Sequence, residues 1–239
     1  MNNKFNIITI DGLAASGKSS IAKLLAEKLN YIHLNSGLLY RAVSYLSLEY
    51  INKNNLDIEN LNEEIILDLI KNNKIYFKQE NTKLVLYINE NNPGKDLFSE
   101  EVAKVASIVS AKEKVRKALM DLQRELGKTN NLVAEGRDMG TVVFPNADCK
   151  FFIEVDVETR AQRRLSQADT NSNTKNDDNL LKSLENDIKK EIIERDERDK
   201  NREISPAKPA EDAIIINNSS EELTQVVKNI YDSVLTRLK

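Results

Sequence analysis

The run Gly12-Leu13-Ala14-Ala15-Ser16-Gly17-Lys18-Ser19 satisfies the pattern G-x-x-x-x-G-K-[ST], the phosphate-cradling P-loop. Backbone N–H groups of such a loop, with the positive end of the helix that follows, point at phosphate oxygens; Lys18 adds a charge, and Ser19 supplies a hydroxyl that ligates Mg²⁺. Ser20 closes the stretch expected to bind the triphosphate. A glycine turn that only joins strand to helix does not need lysine followed by serine, so a nucleoside triphosphate is the ligand expected. The pattern leaves the reaction open, because GTPases, motors and small-molecule kinases share it.

Arginines narrow the choice. Transfer of a phosphoryl group to a second anion gathers many negative oxygens, and positioned guanidinium groups neutralise the developing charge. Arg41 follows Ser36-Gly37-Leu38-Leu39-Tyr40, Arg116 lies in a helical stretch, and Arg137 sits in Glu135-Gly136-Arg137-Asp138 just after a strand-like run. All are near places where α/β proteins bind ligands, at the C-terminal ends of strands. Arg195, Asp199 and Arg202, at i, i+4 and i+7, put a guanidinium–carboxylate–guanidinium row on one expected helix face. Alone, that row reads as a solvated charged helix; beside a P-loop it reads as a holder of a sugar hydroxyl and a phosphate. Arg160, Arg163 and Arg164 either form a lid that closes on the transferring phosphate, with Arg163 catalytic, or face solvent in part. Glu135, which ends the run Leu132-Val133-Ala134, is open to two readings, an acid presented to Mg²⁺-bound water or an ordinary strand-end acid.

Other P-loop classes fit less well. Thr174-Lys175-Asn176-Asp177 imitates the guanine-reading motif of GTPases, but polar residues precede it where a strand is needed. A nucleic-acid motor needs a basic tract, whereas the net charge is −3 and aromatics make up 5%.

The elements that must position these residues alternate between strand and helix. Residues 5–10 form a β-rich run, after which Ile21, Leu24, Leu25 and Leu29 recur at helical spacing. A strand over 31–33 leads to a helix from about Ser36, with Leu39, Val43 and Leu46 on one face. One helix is expected over 101–126, then strands over 132–134 and 150–155, and a last strand over 214–216. The last helix should begin near Glu221 with Ser219 and Ser220 as candidate caps. The fold class is α/β, a parallel sheet flanked by helices. Residues 52–100, rich in Asn and Lys with β-like runs at 75–79 and 84–88, read as an inserted subdomain between core segments 1–51 and 101–239. The polar stretch ADTNSNTKNDD, residues 168–178, has little apolar content to hold it against a core, so a mobile lid is expected over about 157–182.

With 40% hydrophobic and 31% charged residues among 239, the chain is an ordinary globular protein of one or two domains. Its single cysteine, Cys149, permits no internal disulfide and reads as a core residue; His33, the only histidine, reads as structural. No basic segment followed by an apolar run opens the chain, and no stretch reaches the ~20 apolar residues a bilayer span needs, so the expectation is a cytoplasmic protein without nucleic-acid or membrane partners.

Five ordered blocks, IDGLAASGKSS, LNSGLLYRA, ASIVSAKEKVRKAL, EGRDMGTVVFP and ERDERDKNR, resemble the bacterial cytidylate kinases and cover nearly the whole chain. The resemblance implies a P-loop kinase fold with core, monophosphate-binding and lid parts, and transfer of the ATP γ-phosphate to CMP or dCMP with Mg²⁺ in pyrimidine metabolism, by a monomer. Carried over by position, Lys18, Arg137 and Arg163 would be catalytic; Ser107, Arg116 and Asp138 would read the cytosine edge; Arg41, Arg137 and Arg202 would hold the acceptor phosphate. Arg195 and Asp199 would contact the pentose, with Ser36 and Tyr40 framing the pocket. The chain departs from the family pattern at Asn35, where aspartate is common, and at Glu135, where a shorter acid is usual. Another small-molecule kinase of the same fold, or a non-catalytic nucleotide-binding module, are the competing readings.

Overall fold

The computed structural model describes residues 5–80, 83–168 and 178–238, with side chains described except over 167–168 and 178–182. Most of the polar lid stretch, including the GTPase-like tetrapeptide, lies outside the described residues. The strands are β1 (Ile7–Gly12), β2 (Ile32–Asn35), β3 (Ile75–Glu80), β4 (Lys83–Ile88), β5 (Leu132–Gly136), β6 (Cys149–Glu154) and β7 (Ile214–Asn217). The helices are α1 (Lys18–Leu29), α2 (Gly37–Asn54), α3 (Glu63–Asn72), α4 (Glu100–Val109), α5 (Glu113–Thr129), α6 (Val157–Ala168), α7 (Asp178–Lys200) and α8 (Leu223–Arg237).

The chain divides into two compact units, Met1–Ile8 with Ala26–Gly136, and Thr9–Leu25 with Arg137–Lys239, so the division passes through β1 and α1. In the first unit the strand order is β3-β4-β2-β5-β1, and in the second β1-β6-β7. β2 runs parallel to both β4 and β5, and β6 parallel to β7, whereas the β3–β4 hairpin is antiparallel. That hairpin belongs to residues 52–100 and continues the parallel sheet through a single register pair, His33 with Lys83. Strands buried on both faces read as apolar runs, and β5 is buried at every position.

The core of the first unit packs Leu39, Val43 and Leu46 of α2 with Ile66 of α3, Leu86 of β4, Val105 and Val109 of α4, and Val115 and Leu119 of α5. Cap chemistry sets where its helices begin. The Asn62 side chain accepts from Ile65 N, and Ser99 Oγ accepts from Val102 N, each ahead of two acidic residues that favour the positive helix end. In the second unit α6 and α7 meet through Ala161, Ile188 and Ile192. Cys149 is fully buried in β6, as expected of a core residue.

Three element expectations change. The single helix expected over 101–126 is two, α4 and α5, parted at residues 110–112, where Lys112 is extended. Arg202 lies beyond the end of α7 rather than on its face. Glu222, not Ser219 or Ser220, precedes α8; Ser219 Oγ instead accepts from Asp156 N ahead of α6.

Candidate active site

The P-loop joins β1 to α1 in the second unit. Ala15 (φ 57°) and Gly17 (φ 82°) take left-handed conformations that turn the chain from strand into helix. At Gly17 space also decides, since a Cβ there would lie 2.9 Å from Asn218 Nδ2. Lys18 Nζ donates to Leu13 O across the loop at 3.2 Å.

Two loop carbonyls are held by side chains from distant elements. Asn218, just past β7 and 3% exposed, donates from Nδ2 to Ser16 O at 3.0 Å. Arg160 of α6 donates to Ala14 O at 3.1 Å and pairs with Asp196 of α7 at 2.5 Å. Arg160 is therefore a buried brace for the loop and does not face solvent. Arg163, one turn on, donates from Nη2 to Asn218 O at 2.6 Å. Its Nη1 lies 3.6 Å from the place a Gly17 Cβ would take and has no partner among the described residues. Arg164 is 37% exposed and 3.8 Å from Glu191, a surface position. Sequence reasoning missed Asn218; its only signal is a polar residue at the C-terminal end of a strand.

The same unit holds Arg137 and the charged row. Asp199 Oδ2 accepts from Arg137 Nε at 2.9 Å, Oδ1 lies 3.8 Å from Arg202 Nη2, and the Asp199 carbonyl accepts from Arg202 Nε at 3.3 Å. Burial pushes the Asp199 carboxyl up, but the charges of Arg137, Arg202 and Arg195 outweigh it and hold its pKa below the ordinary value. In place of a row on one helix face there is a carboxylate shared among arginines, with Arg202 from beyond the end of α7 and Arg137 from the turn after β5. Asp138 is 3% exposed, and its carbonyl accepts from Val142 N and Val143 N in the wide, π-helical turn Met139–Val143.

The remaining site residues belong to the first unit. Glu135, 1% exposed at the end of β5, faces His33 Nε2 at 3.2 Å, while its carbonyl accepts from Ser36 Oγ and Ser36 N. Asn35 is the register partner of Glu135 on β2. Arg41 donates to Leu97 O at 2.7 Å and covers the exposed Phe98 ring at 5.3 Å. A surface cation–π contact of this kind contributes only about 0.5–1 kcal/mol. Arg116 is 6% exposed, donates to Ser110 O at 3.1 Å and lies 5.4 Å over the Tyr40 ring. The gap between α4 and α5 makes this possible, because it leaves Ser110 O at a helix end within reach of Arg116. Ser107 Oγ is buried and has no partner among the described residues.

Among the described residues no group of three or more His, Cys, Asp or Glu could hold a metal ion. Ser19, the hydroxyl residue expected to ligate Mg²⁺, lies in the first turn of α1. No described helix is long and apolar enough to cross a membrane.

The family described as cytidylate kinase matches residues 8–236. A cytidylate kinase of Ureaplasma urealyticum serovar 10 is 40% identical over 236 residues, 99% of this chain and 98% of that protein. One of Thermotoga maritima is 39% identical over 231 residues, 97% of each chain, and one of Bacillus anthracis is 40% identical over 229, 95% of each.

Proposed function

This chain belongs to the cytidylate kinase family, and we propose that Lys18, Arg137 and Arg163 carry its phosphoryl transfer. The enzyme moves the γ-phosphate of ATP to CMP or dCMP, giving CDP or dCDP and ADP. The observation that carries this reading is the family match over residues 8–236 together with an intact P-loop.

An oxygen of the acceptor phosphate is already a nucleophile, so no general base is required. It attacks the γ-phosphorus in line; the new P–O bond forms as the bond to the β–γ bridging oxygen breaks, and ADP leaves. The P-loop N–H groups from Gly12, Leu13, Ala14, Ala15, Ser16, Gly17, Lys18, Ser19 and Ser20 and the Lys18 ammonium hold the donor phosphates. Arg163, set by Asn218, and Arg137, set by Asp199, offset charge on the transferring group. Mg²⁺ would neutralise charge on the phosphates; Ser19 would ligate it, and Glu135, the buried acid at the end of β5, would be the second candidate to hold it.

On the acceptor side we assign Ser107, Arg116 and Asp138 to the cytosine edge. A carboxylate accepts from the cytosine amino group and arginine donates to its carbonyl, a polarity that mismatches uracil. The hold of Ser110 and Tyr40 on Arg116 and the unpartnered Ser107 hydroxyl support this. Arg41, Arg137 and Arg202 would take the acceptor phosphate, Arg195 and Asp199 the pentose, and Ser36 and Tyr40 would frame the pocket. Residues 52–100 would be the acceptor-binding insert and about 157–182 the lid, in a cytoplasmic monomer.

ADP release with ATP, Mg²⁺ and, separately, CMP, dCMP, UMP, AMP, GMP and shikimate tests the reading. Turnover with CMP and dCMP alone is expected; a different preferred acceptor would keep the kinase and remove the cytosine assignment. At Asn35, opposite Glu135, replacement by Asp brings a second acid beside a buried one. Asn35→Asp is expected to stay active with changed CMP:dCMP:UMP turnover ratios, and identical ratios would remove Asn35 from acceptor choice.

A further inference from the structure

Asp11 precedes the first P-loop glycine and is 4% exposed. Its Oδ1 accepts from Met139 N at 2.9 Å and its Oδ2 from Gly140 N at 2.8 Å. Both carboxylate oxygens are thus engaged by consecutive peptide groups of the turn that follows Arg137 and Asp138. The turn is pressed against its neighbours: a Cβ on Gly140 would come 2.8 Å from Thr9 Oγ1, 3.2 Å from Lys150 Cδ and 3.4 Å from Asp11 Oδ2. The carboxylate therefore stands one residue ahead of the donor loop and grips the chain one residue past Asp138.

We propose that Asp11 is a positioning residue for phosphoryl transfer: it fastens the turn carrying Arg137 and Asp138 to the strand that enters the P-loop, giving donor and acceptor groups one anchor. The inference rests on the reading of Arg137 and Asp138 as acceptor-side residues.

The clamp has a charge state that changes near neutrality. Burial pushes the Asp11 carboxyl up to about 7, against the two N–H donors that lower it; the Asp138 charge raises it further and Lys18 lowers it. Lys150 of β6 also approaches the turn, with its ammonium engaged by Asp212 and Pro145 O. A protonated carboxyl has less capacity to accept, so the two-handed grip is complete above about pH 7 and slackens below it. Stability runs the other way. A carboxyl whose folded pKa is raised adds stability that is full below its ordinary pKa and lost as pH rises through about 7. The grip is tightest where the buried charge disfavours the fold most, as expected of a group kept for positioning.

Asp11→Asn in the full chain separates the two effects, because asparagine keeps the shape and one acceptor but turns an NH₂ toward a backbone N–H. Thermal midpoints and steady-state kinetics for CMP and ATP would be followed from about pH 6 to pH 9. The variant is expected to melt at or above the parent at high pH, to lose about tenfold or more in kcat/KM for CMP, and to keep KM for ATP within about twofold. The parent's limb near pH 7 in kcat/KM for CMP should be missing from it. CMP kinetics within about twofold of the parent, or a retained limb, would overturn the proposal. If Asp11→Asn does not fold, Gly140→Ala displaces the turn with the carboxylate intact; a loss confined to CMP supports the clamp, and equal losses for CMP and ATP sink it. Arg137→Ala is run alongside. A CMP defect there with none in Asp11→Asn overturns the clamp, whereas none in either overturns the acceptor reading beneath it.

Discussion

Lys18→Ala is expected to lower turnover of ATP with CMP by about 10³-fold while leaving the melting temperature near that of the parent. The ammonium sits at the start of α1, half-buried, and reaches back to Leu13 O at 3.2 Å. It fills no apolar cavity, so its removal takes charge from the phosphate site and little from the core. Preorganised charge in such a site acts on the developing negative charge without further rearrangement, which is why the catalytic loss exceeds the structural one. Steady-state ADP release beside a thermal melt checks both halves; near-parental turnover would remove Lys18 from catalysis.

The largest loss of stability is expected at Asp199→Ala. Its carboxylate accepts from Arg137 and lies beside Arg202, with all three side chains largely buried, at 9%, 16% and 7% exposed. Removing one member of a buried ion cluster takes its compensation from desolvated charges, at a cost of about 3–5 kcal/mol. Urea unfolding would read that loss, and turnover should fall with it because Arg137 loses its orienting partner. Asp199→Asn, which still accepts from a guanidinium, should lose less. Since the arginines hold the Asp199 pKa below its ordinary value, its stabilisation is present above the ordinary carboxylate pKa and disappears as pH falls through the folded one. The parent should therefore weaken in acid by an amount that Asp199→Asn does not show, and superimposable acid-unfolding profiles would contradict the assignment.

What could be read from the sequence and what could not divide along chain separation. The P-loop is a run of eight residues whose identities state their own conformation, and the alternation of strand and helix needs only local periodicity. Asp199 with Arg195 was legible because helical spacing brings them onto one face. The break between α4 and α5 was not, since Ser110-Ala111-Lys112 carries no glycine or proline to announce the extended Lys112. Nor were the ties around the loop. Asp11 reaches Met139 across 128 positions, Arg160 reaches Ala14 across 146 and Asn218 reaches Ser16 across 202. No motif or period encodes such pairs; they exist only once the fold has formed.

The sharing of Asp199 among Arg137, Arg195 and Arg202 also bears on how such a site can evolve. Every one of these cations leans on the same carboxylate, so its replacement alters the electrostatic setting of all three together. A lineage drifting toward a different acceptor cannot retune one guanidinium and leave the others undisturbed; single steps pass through forms with mismatched buried charge. On the acceptor roles proposed above, selection for a new substrate would meet less resistance at Ser107 or Asn35, neither of which is among the groups that set the Asp199 charge, than at the arginines themselves.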